Sequence, residues 1–405
     1  VRAAFDNTDG VLRSDGSLAA HAVALDNTRG ILEAAGALVV QSGPIVNAGG
    51  TLYGVGALDL RAAGDLVSPG TLASRGTARI EAVGTLDNAG GVVIAEALDV
   101  RVGSLVNDAG VIEQLGVAAG RVASSGAIDS RRGRIAGIGS GALEVAAGTV
   151  LDNGAGGVIG ANGALALSAQ RMANTGGAVE SGDALALTVA QLGNADGRIR
   201  ARGGATIIAT GALDNARGLL AADGAMSLSA AAIDNRGGRI ASGTALAAST
   251  AGALDNRAGG QVGAAGDTTL TAQAIENDGG RLSTNANLGI RAVRMAGAGV
   301  AAAGGDLTLE LQTDYANPAG GEVTALGALS ITTPGALVNA GRLDGGVVRT
   351  QSASLYNTAS ILGGAVQITT GSLGNAGGAA LIGAVSDLTL HVRSALSNAD
   401  GALVY

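Results

Sequence analysis

Apolar and polar positions alternate along this chain in short runs, and the runs recur at a fixed interval. Counted from the apolar residue of a recurring apolar-Asp-Asn phrase, apolar or small residues return at offsets of about +7, +9, +13, +15 and +17. In the segment starting at Leu192 these are Ile199, Ala201, Ala205, Ile207 and Ala209, so Arg198, Arg200 and Arg202 between them point outward. The segment at Leu25 turns Leu32, Ala34, Leu38, Val40 and Ser42 inward and Glu33 outward. The segment at Ile45 buries Leu52, Gly54, Leu58, Leu60 and Ala62, with Asp59 and Arg61 outside. A spacing of two marks strands with one buried face, and Gly interrupts every stretch that a helix would need. Each unit of about 20 residues therefore holds about three short strands and cannot bury its apolar row alone. Stacked at roughly 4.8 Å per coil it can, with backbone groups paired above and below. The pattern predicts an all-β parallel β-helix, a solenoid of about 20 coils in one continuous array over residues 1–405.

The phrase itself has a physical reading. It appears strictly at Phe5-Asp6-Asn7, Leu25-Asp26-Asn27, Leu86-Asp87-Asn88, Leu151-Asp152-Asn153, Leu213-Asp214-Asn215, Ile233-Asp234-Asn235 and Leu254-Asp255-Asn256, and more loosely elsewhere. Its Asn has inward parity, and a buried amide is costly unless its donors and acceptors are met. In register, each Asn meets the Asn above and below, as amide ladders do in cross-β structures. The expected structural ladder is Asn7, Asn27, Asn47, Asn88, Asn107, Asn153, Asn174, Asn194, Asn215, Asn235, Asn256, Asn277, Asn317, Asn339, Asn357, Asn375 and Asn398. The neighbouring Asp is expected outside, at a turn whose amides it can accept. Asp214, Asp234, Asp255 and Glu276 fall on four successive coils, where like charges repel. Arg217, Arg236 and Arg257, two or three residues further on, offer the relief. A divalent cation is the other solution, and the Gly-Gly-x-Gly-x-Asp nonapeptide of calcium-binding β-rolls is absent.

Composition narrows the class. Phe5, Tyr53, Tyr315, Tyr356 and Tyr405 are the whole aromatic content, which suits narrow coils filled by Leu, Ile, Val and Ala. The 70 glycines against four prolines imply turns built on Gly. No cysteine is present, which removes disulfides, thiolate chemistry and Cys-ligated metals. All 25 basic residues are Arg, a mark of genomic composition, and a net charge of −8 argues against a nucleic-acid partner. There is no transmembrane segment of 18 apolar residues, and an outer-membrane barrel would need aromatic girdles. The chain opens inside a repeat at Val1, so it is expected to be a fragment of a larger exported protein.

Catalytic chemistry finds little to work with. His21 and His391 lie roughly 18 coils apart with outward parity, and a phosphate-binding Walker loop lacks its lysine. Gly137-Ile138-Gly139 and Gly154-Ala155-Gly156 open no helix after a strand. Asp59 and Asp99 with Arg61 and Arg101 resemble the acids and arginines of polysaccharide-cleaving β-helices, yet they sit about two coils apart without loops to wall a cleft. No catalytic residue, cofactor or metal is expected. Recognition leaves small basic patches, Arg131, Arg132 and Arg134, and Arg198, Arg200 and Arg202, the latter the candidate contact for a sulfated glycan.

The pattern Leu-Asp-Asn-x-x-Gly-x-Ile-x-Ala-x-Gly-x-Leu-x-Leu-x-Ala, as in Leu213 to Ala230 and Leu25 to Ser42, resembles the filamentous-haemagglutinin repeat of two-partner-secretion exoproteins. These include adhesins and contact-dependent growth inhibition proteins. The resemblance covers essentially the whole chain and implies a right-handed β-helical shaft. It also implies export through a dedicated outer-membrane transporter and display at, or release from, a Gram-negative cell surface. Receptor binding or toxicity then resides in regions outside the shaft, and the partner is a host or neighbouring-cell receptor or glycan. Departures are local: Ser68 and Ser130 replace the corner Asn, Gly297 stands there in the coil from Met295, coils shorten near 337–372, and they lengthen near 105–127 and 373–395. The leading expectation is a spacer that carries an adhesive or toxin module. Direct adhesion through the outer face is the first alternative and a polysaccharide-cleaving β-helix enzyme the second. Circular dichroism should show strand with little helix, and small-angle scattering a rod of about 95 Å, the product of coil number and strand spacing. A helical spectrum or a compact sphere would remove the basis of this reading.

Overall fold

The computed structural model describes residues 3–405; Val1 and Arg2, the first residues of the expected array, lie outside the described residues. The chain is all-β, its strands paired in parallel as a β-solenoid of about 20 turns, and no helix occurs among the described residues. It folds as two compact units, Val1–Ala209 and Thr210–Tyr405.

In the first unit one coil is Leu25–Asp26, Ile31–Ala34 and Ala37–Ser42, and the next is Ile45–Val46, Thr51–Gly54 and Ala57–Ala62. Equivalent residues pair directly: Leu25 with Ile45, Leu32 with Leu52, Leu38 with Leu58, Val40 with Leu60. Since side chains alternate across a strand, a slip of one residue would turn this whole apolar row to solvent. The row is fully enclosed, with Leu32, Leu38, Ile45 and Leu52 each at 0% exposure. Burying a side chain of that size is worth about 1.5–3 kcal/mol, so each coil is held chiefly by its neighbours.

Not every coil breaks into three strands as the pattern predicts. Thr71–Asp87 and Val92–Val106 are continuous through their corners, with register shifts at Ser74/Thr77 and Ala82/Thr85. Bulges of this kind bend a strand without ending its pairing. The longer coil near 105–127 swells after Val111–Gln114, where Leu115 and Val117 stand out at 41% and 76% exposure. Gln114 anchors the swelling from inside: its Oε1 accepts the Leu98 amide at 3.1 Å and its Nε2 donates to the Ala118 carbonyl.

The second unit repeats the plan, pairing Ile233 with Leu254 and Ile240 with Val262. Its core admits one ring, Tyr315, in register with Leu337 and 3% exposed. The short coils near 337–372 become the long bent strands Arg342–Asn357 and Ser360–Ala376, because fewer corner residues are left to leave the ladder. The following coil is longer and loops out between Ala384 and Asp387, where Val385 is 91% exposed.

Candidate functional site

Each repeat turns a corner at its Asn, and the local sequence dictates how. After Asn27 the chain makes a four-residue turn closed by the Gly30 amide donating to the Asn27 carbonyl at 3.0 Å, with Arg29 left-handed at φ 53°. Gly30 has no alternative. A Cβ there would lie 2.2 Å from the Asn7 carbonyl oxygen and 2.6 Å from Asn27 Oδ1. The Gly of the phrase is thus the space into which the Asn side chain and the preceding coil fit.

The amides form runs along the stack. In the first unit Asn7 Nδ2 donates to Asn27 Oδ1 at 2.7 Å and Asn27 to Asn47 at 2.7 Å; Asn88 donates to Asn107 at 2.8 Å, Asn153 to Asn174 at 2.8 Å, and Asn174 to Asn194 at 2.7 Å. In the second unit Asn215 donates to Asn235, Asn235 to Asn256 and Asn256 to Asn277, each at 2.8 Å. Asn317, Asn339, Asn357, Asn375 and Asn398 continue likewise at 2.7–2.8 Å. The remaining donor capacity goes to backbone carbonyls, as from Asn27 to Gly30 at 3.0 Å and Thr51 at 3.2 Å. From Asn27 to Asn375 these residues are at most 2% exposed; Asn7 is half-buried and Asn398 exposed. Every rung points the same way, from the amide nitrogen of one coil to the oxygen of the next.

That polarity gives the substitutions a consequence the sequence did not reveal. Ser68 and Ser130 accept from Asn47 at 3.1 Å and Asn107 at 3.2 Å, but a hydroxyl is too short to reach the following rung. Asn88 Oδ1 and Asn153 Oδ1, each directly after a Ser coil, are buried without a partner. At Gly297 the run stops outright, and Asn277 Nδ2 keeps the bond to the next coil's backbone that other rungs also make, here to the Val300 carbonyl at 3.2 Å.

Outside the corner, charges neutralise one another from coil to coil. Asp234, Asp255 and Glu276 stack in register, as the spacing predicts. Arg236 bonds Asp234 at 2.6 Å and reaches Asp255 at 3.7 Å; Arg257 bonds Asp255 at 2.7 Å, and Arg294 bonds Glu276 at 2.5 Å. Asp214 takes the Ala216 amide at 2.9 Å, and Asp234 and Asp255 likewise accept local amides. The hydrogen bond from Arg236 holds the Asp234 carboxyl below its ordinary pKa, and that from Arg257 does the same for Asp255. No group of three or more His, Asp or Glu side chains poised to hold a metal occurs among the described residues.

On another face of the first unit, Asp59 pairs in register with Arg79 and Arg79 with Asp99, while Arg61 pairs with Glu81 and Glu81 with Arg101. The result is a checkerboard. Arg61 bonds Asp59 at 3.1 Å, Arg101 bonds Asp99 at 2.9 Å, and Arg79 bonds Glu81 between them. The two aspartates are committed to guanidinium groups, with an arginine coil separating them.

A model of the haemagglutinin repeat matches residues 1–54, 53–131, 138–217, 205–258, 250–310, 296–362 and 361–404. The chain belongs to the haemagglutinin-repeat family. No curated protein and no solved structure gives a significant match.

Among these haemagglutinin repeats several arginines of the basic patches meet acids, Arg131 within its own coil and Arg132, Arg134 and Arg198 one coil away, where only reading at the repeat period finds the partner. Arg131 bonds Asp129 at 2.6 Å, Arg132 bonds Asp108, and Arg134 bonds Glu113 at 2.7 Å. Arg198, Arg200 and Arg202 are exposed on alternate positions; Arg198 bonds Glu180, and Arg200 lies in register with Glu180. His21 and His391 are exposed, one in each unit.

Replacing Asn215, which donates to Asn235, Gly218 and Arg239, by Leu should cost about 1–3 kcal/mol, read as a lower thermal midpoint. Restoring the missing rung with Ser130→Asn should raise the midpoint, by about 1 kcal/mol, since Asn153 Oδ1 gains a donor. An unchanged midpoint in both variants would remove the energetic role of the ladder. The Arg-paired carboxylates add a pH dependence. Their folded pKa values lie below the ordinary 3.8, so their contribution is present above that value and is lost as pH falls through the lowered ones. Replacing Arg236 and Arg257 by Gln should therefore move the acid-unfolding midpoint to higher pH, a small effect at such exposed pairs.

Proposed function

We propose that the chain is the structural shaft of a filamentous-haemagglutinin-like exoprotein and works as one uninterrupted array. Its task is to hold an adhesive or toxin module away from a Gram-negative cell surface and so mediate cell contact. The observation that carries this reading is the tiling of the whole chain by haemagglutinin repeats whose Asn and apolar positions are spent on stacking. Outward charges are largely spent on one another. The reading assigns the protein no enzymatic role and no cofactor.

Export through an outer-membrane two-partner-secretion transporter suits the same features. A chain without cysteine carries no disulfide to block passage, and coils that contact mainly their neighbours can fold successively once outside. No helix among the described residues is long and apolar enough to cross a membrane.

A second reading is direct adhesion, for which the exposed Arg198, Arg200 and Arg202 on one outer face of the first unit are the candidate glycan contact. The two are separated by displaying the array on cells alone and fused to an adhesive module, then measuring adherence to host and neighbouring cells and binding to sulfated-glycan arrays. The shaft reading expects adherence only with the module. Adherence by the array alone, abolished when the three arginines are replaced by Gln, would overturn it in favour of direct adhesion.

A further inference from the structure

The repeat places Gly three residues after its Asn, and only two of the chain's asparagines are followed directly by Gly: Asn153 and Asn162. The fold treats them in opposite ways. Asn153 is a ladder rung at 0% exposure, its amide nitrogen bonded to Asn174 at 2.8 Å and to the Ala178 carbonyl at 3.0 Å. The following Gly154 amide is also engaged, donating to Asp152 Oδ1 at 3.0 Å. Asn162 is exposed at the corner between Val158–Ala161 and Leu165–Ala173. Its side chain is tethered by donation to the Ile138 carbonyl, and the amide of the buried Gly163 has no hydrogen-bond partner among the described residues, whereas the comparable corner amides of Gly36 and Gly203 donate to Gly16 and Asp183.

We propose that Asn162 is a site of spontaneous covalent modification, converting through a cyclic imide to aspartate and isoaspartate with water as co-reactant. The unengaged Gly163 nitrogen attacks Asn162 Cγ. A nitrogen–carbon bond forms, the Cγ–Nδ2 bond breaks, and the amide nitrogen leaves as ammonia, the proton it gains balancing the one that the Gly163 nitrogen loses. Water then opens the five-membered imide at either carbonyl, leaving a carboxylate and either the original backbone or one lengthened by a methylene. No electron transfer is involved. Glycine at the attacking position matters because it has no Cβ to hinder the approach.

The product reaches into the stack. Gly182 on the next coil lies so close beneath Asn162 that a Cβ there would sit 2.1 Å from the Asn162 carbonyl oxygen and 2.9 Å from its Cα. A lengthened backbone at residue 162 has no slack against that neighbour, so the isoaspartate form loosens this corner. The new carboxylate also loses the donor that now meets the Ile138 carbonyl.

Incubation of the folded chain in mildly alkaline buffer made with oxygen-18 water, followed by peptide mapping that resolves aspartate from isoaspartate, tests this. Asn162 should convert to both products with label incorporated, at least about tenfold faster than Asn153; the factor corresponds to a protecting free energy of about 1.4 kcal/mol at the buried site. In denaturant the two should convert at similar rates, and Asn162→Ser should leave the folded chain without the modification. Retention of Asn162 in the folded chain while the denatured chain converts would overturn the proposal, as would equal rates at the two sites in the folded chain.

Discussion

The register of this fold depends on a buried amide that its own equivalent on the next coil satisfies most fully. An enclosed Asn side chain carries donors and an acceptor that would cost several kcal/mol if left dry and unpaired. At this corner one neighbour of matching shape stands one strand spacing away, on the next coil. Asn27 to Asn47 and Asn235 to Asn256 are such pairs. The requirement fixes register more strictly than the apolar row could, since Leu, Ile, Val and Ala interchange along a column whereas an amide displaced by one residue finds no partner.

The other regularities follow from it. The left-handed third residue and the Gly that closes the turn bring the corner backbone against the previous Asn, which is why Gly30 and Gly238 would clash if given a Cβ. With register fixed, outward side chains meet outward side chains at one coil's distance, and acids face arginines there. The checkerboard of Asp59, Arg79 and Asp99 beside Arg61, Glu81 and Arg101 is the clearest instance.

Much of this was legible in the sequence, for identifiable reasons. Parity alone placed Leu32, Leu38 and Leu52 inside and Arg198 outside, because an alternation of two has one structural meaning once a repeat period accompanies it. The ladder could be anticipated because an inward Asn has few ways to be satisfied. Less visible was what depends on reach. That Ser130 accepts a bond and fails to pass one on follows from the length of a hydroxyl, and that Arg134 answers Glu113 emerges only when neighbouring coils are laid side by side. The anchoring of the swollen coil by Gln114 depends on that coil's particular path, which no repeat average describes.

The common direction of the rungs turns each run of asparagines into a small electrical column, since aligned amide dipoles reinforce one another along a hydrogen-bonded chain. Left unbroken, such a column would strengthen every rung and also link every rung's fate to the others. Ser68, Ser130 and Gly297 act as insulators within it. At each, one run of amide-to-amide bonds stops and the next begins on a later coil. A coil that opens beside Asn107 costs its own run a rung, while the run beginning at Asn153 keeps its own amide bonds, so the ladder is a series of short dependencies rather than one long one.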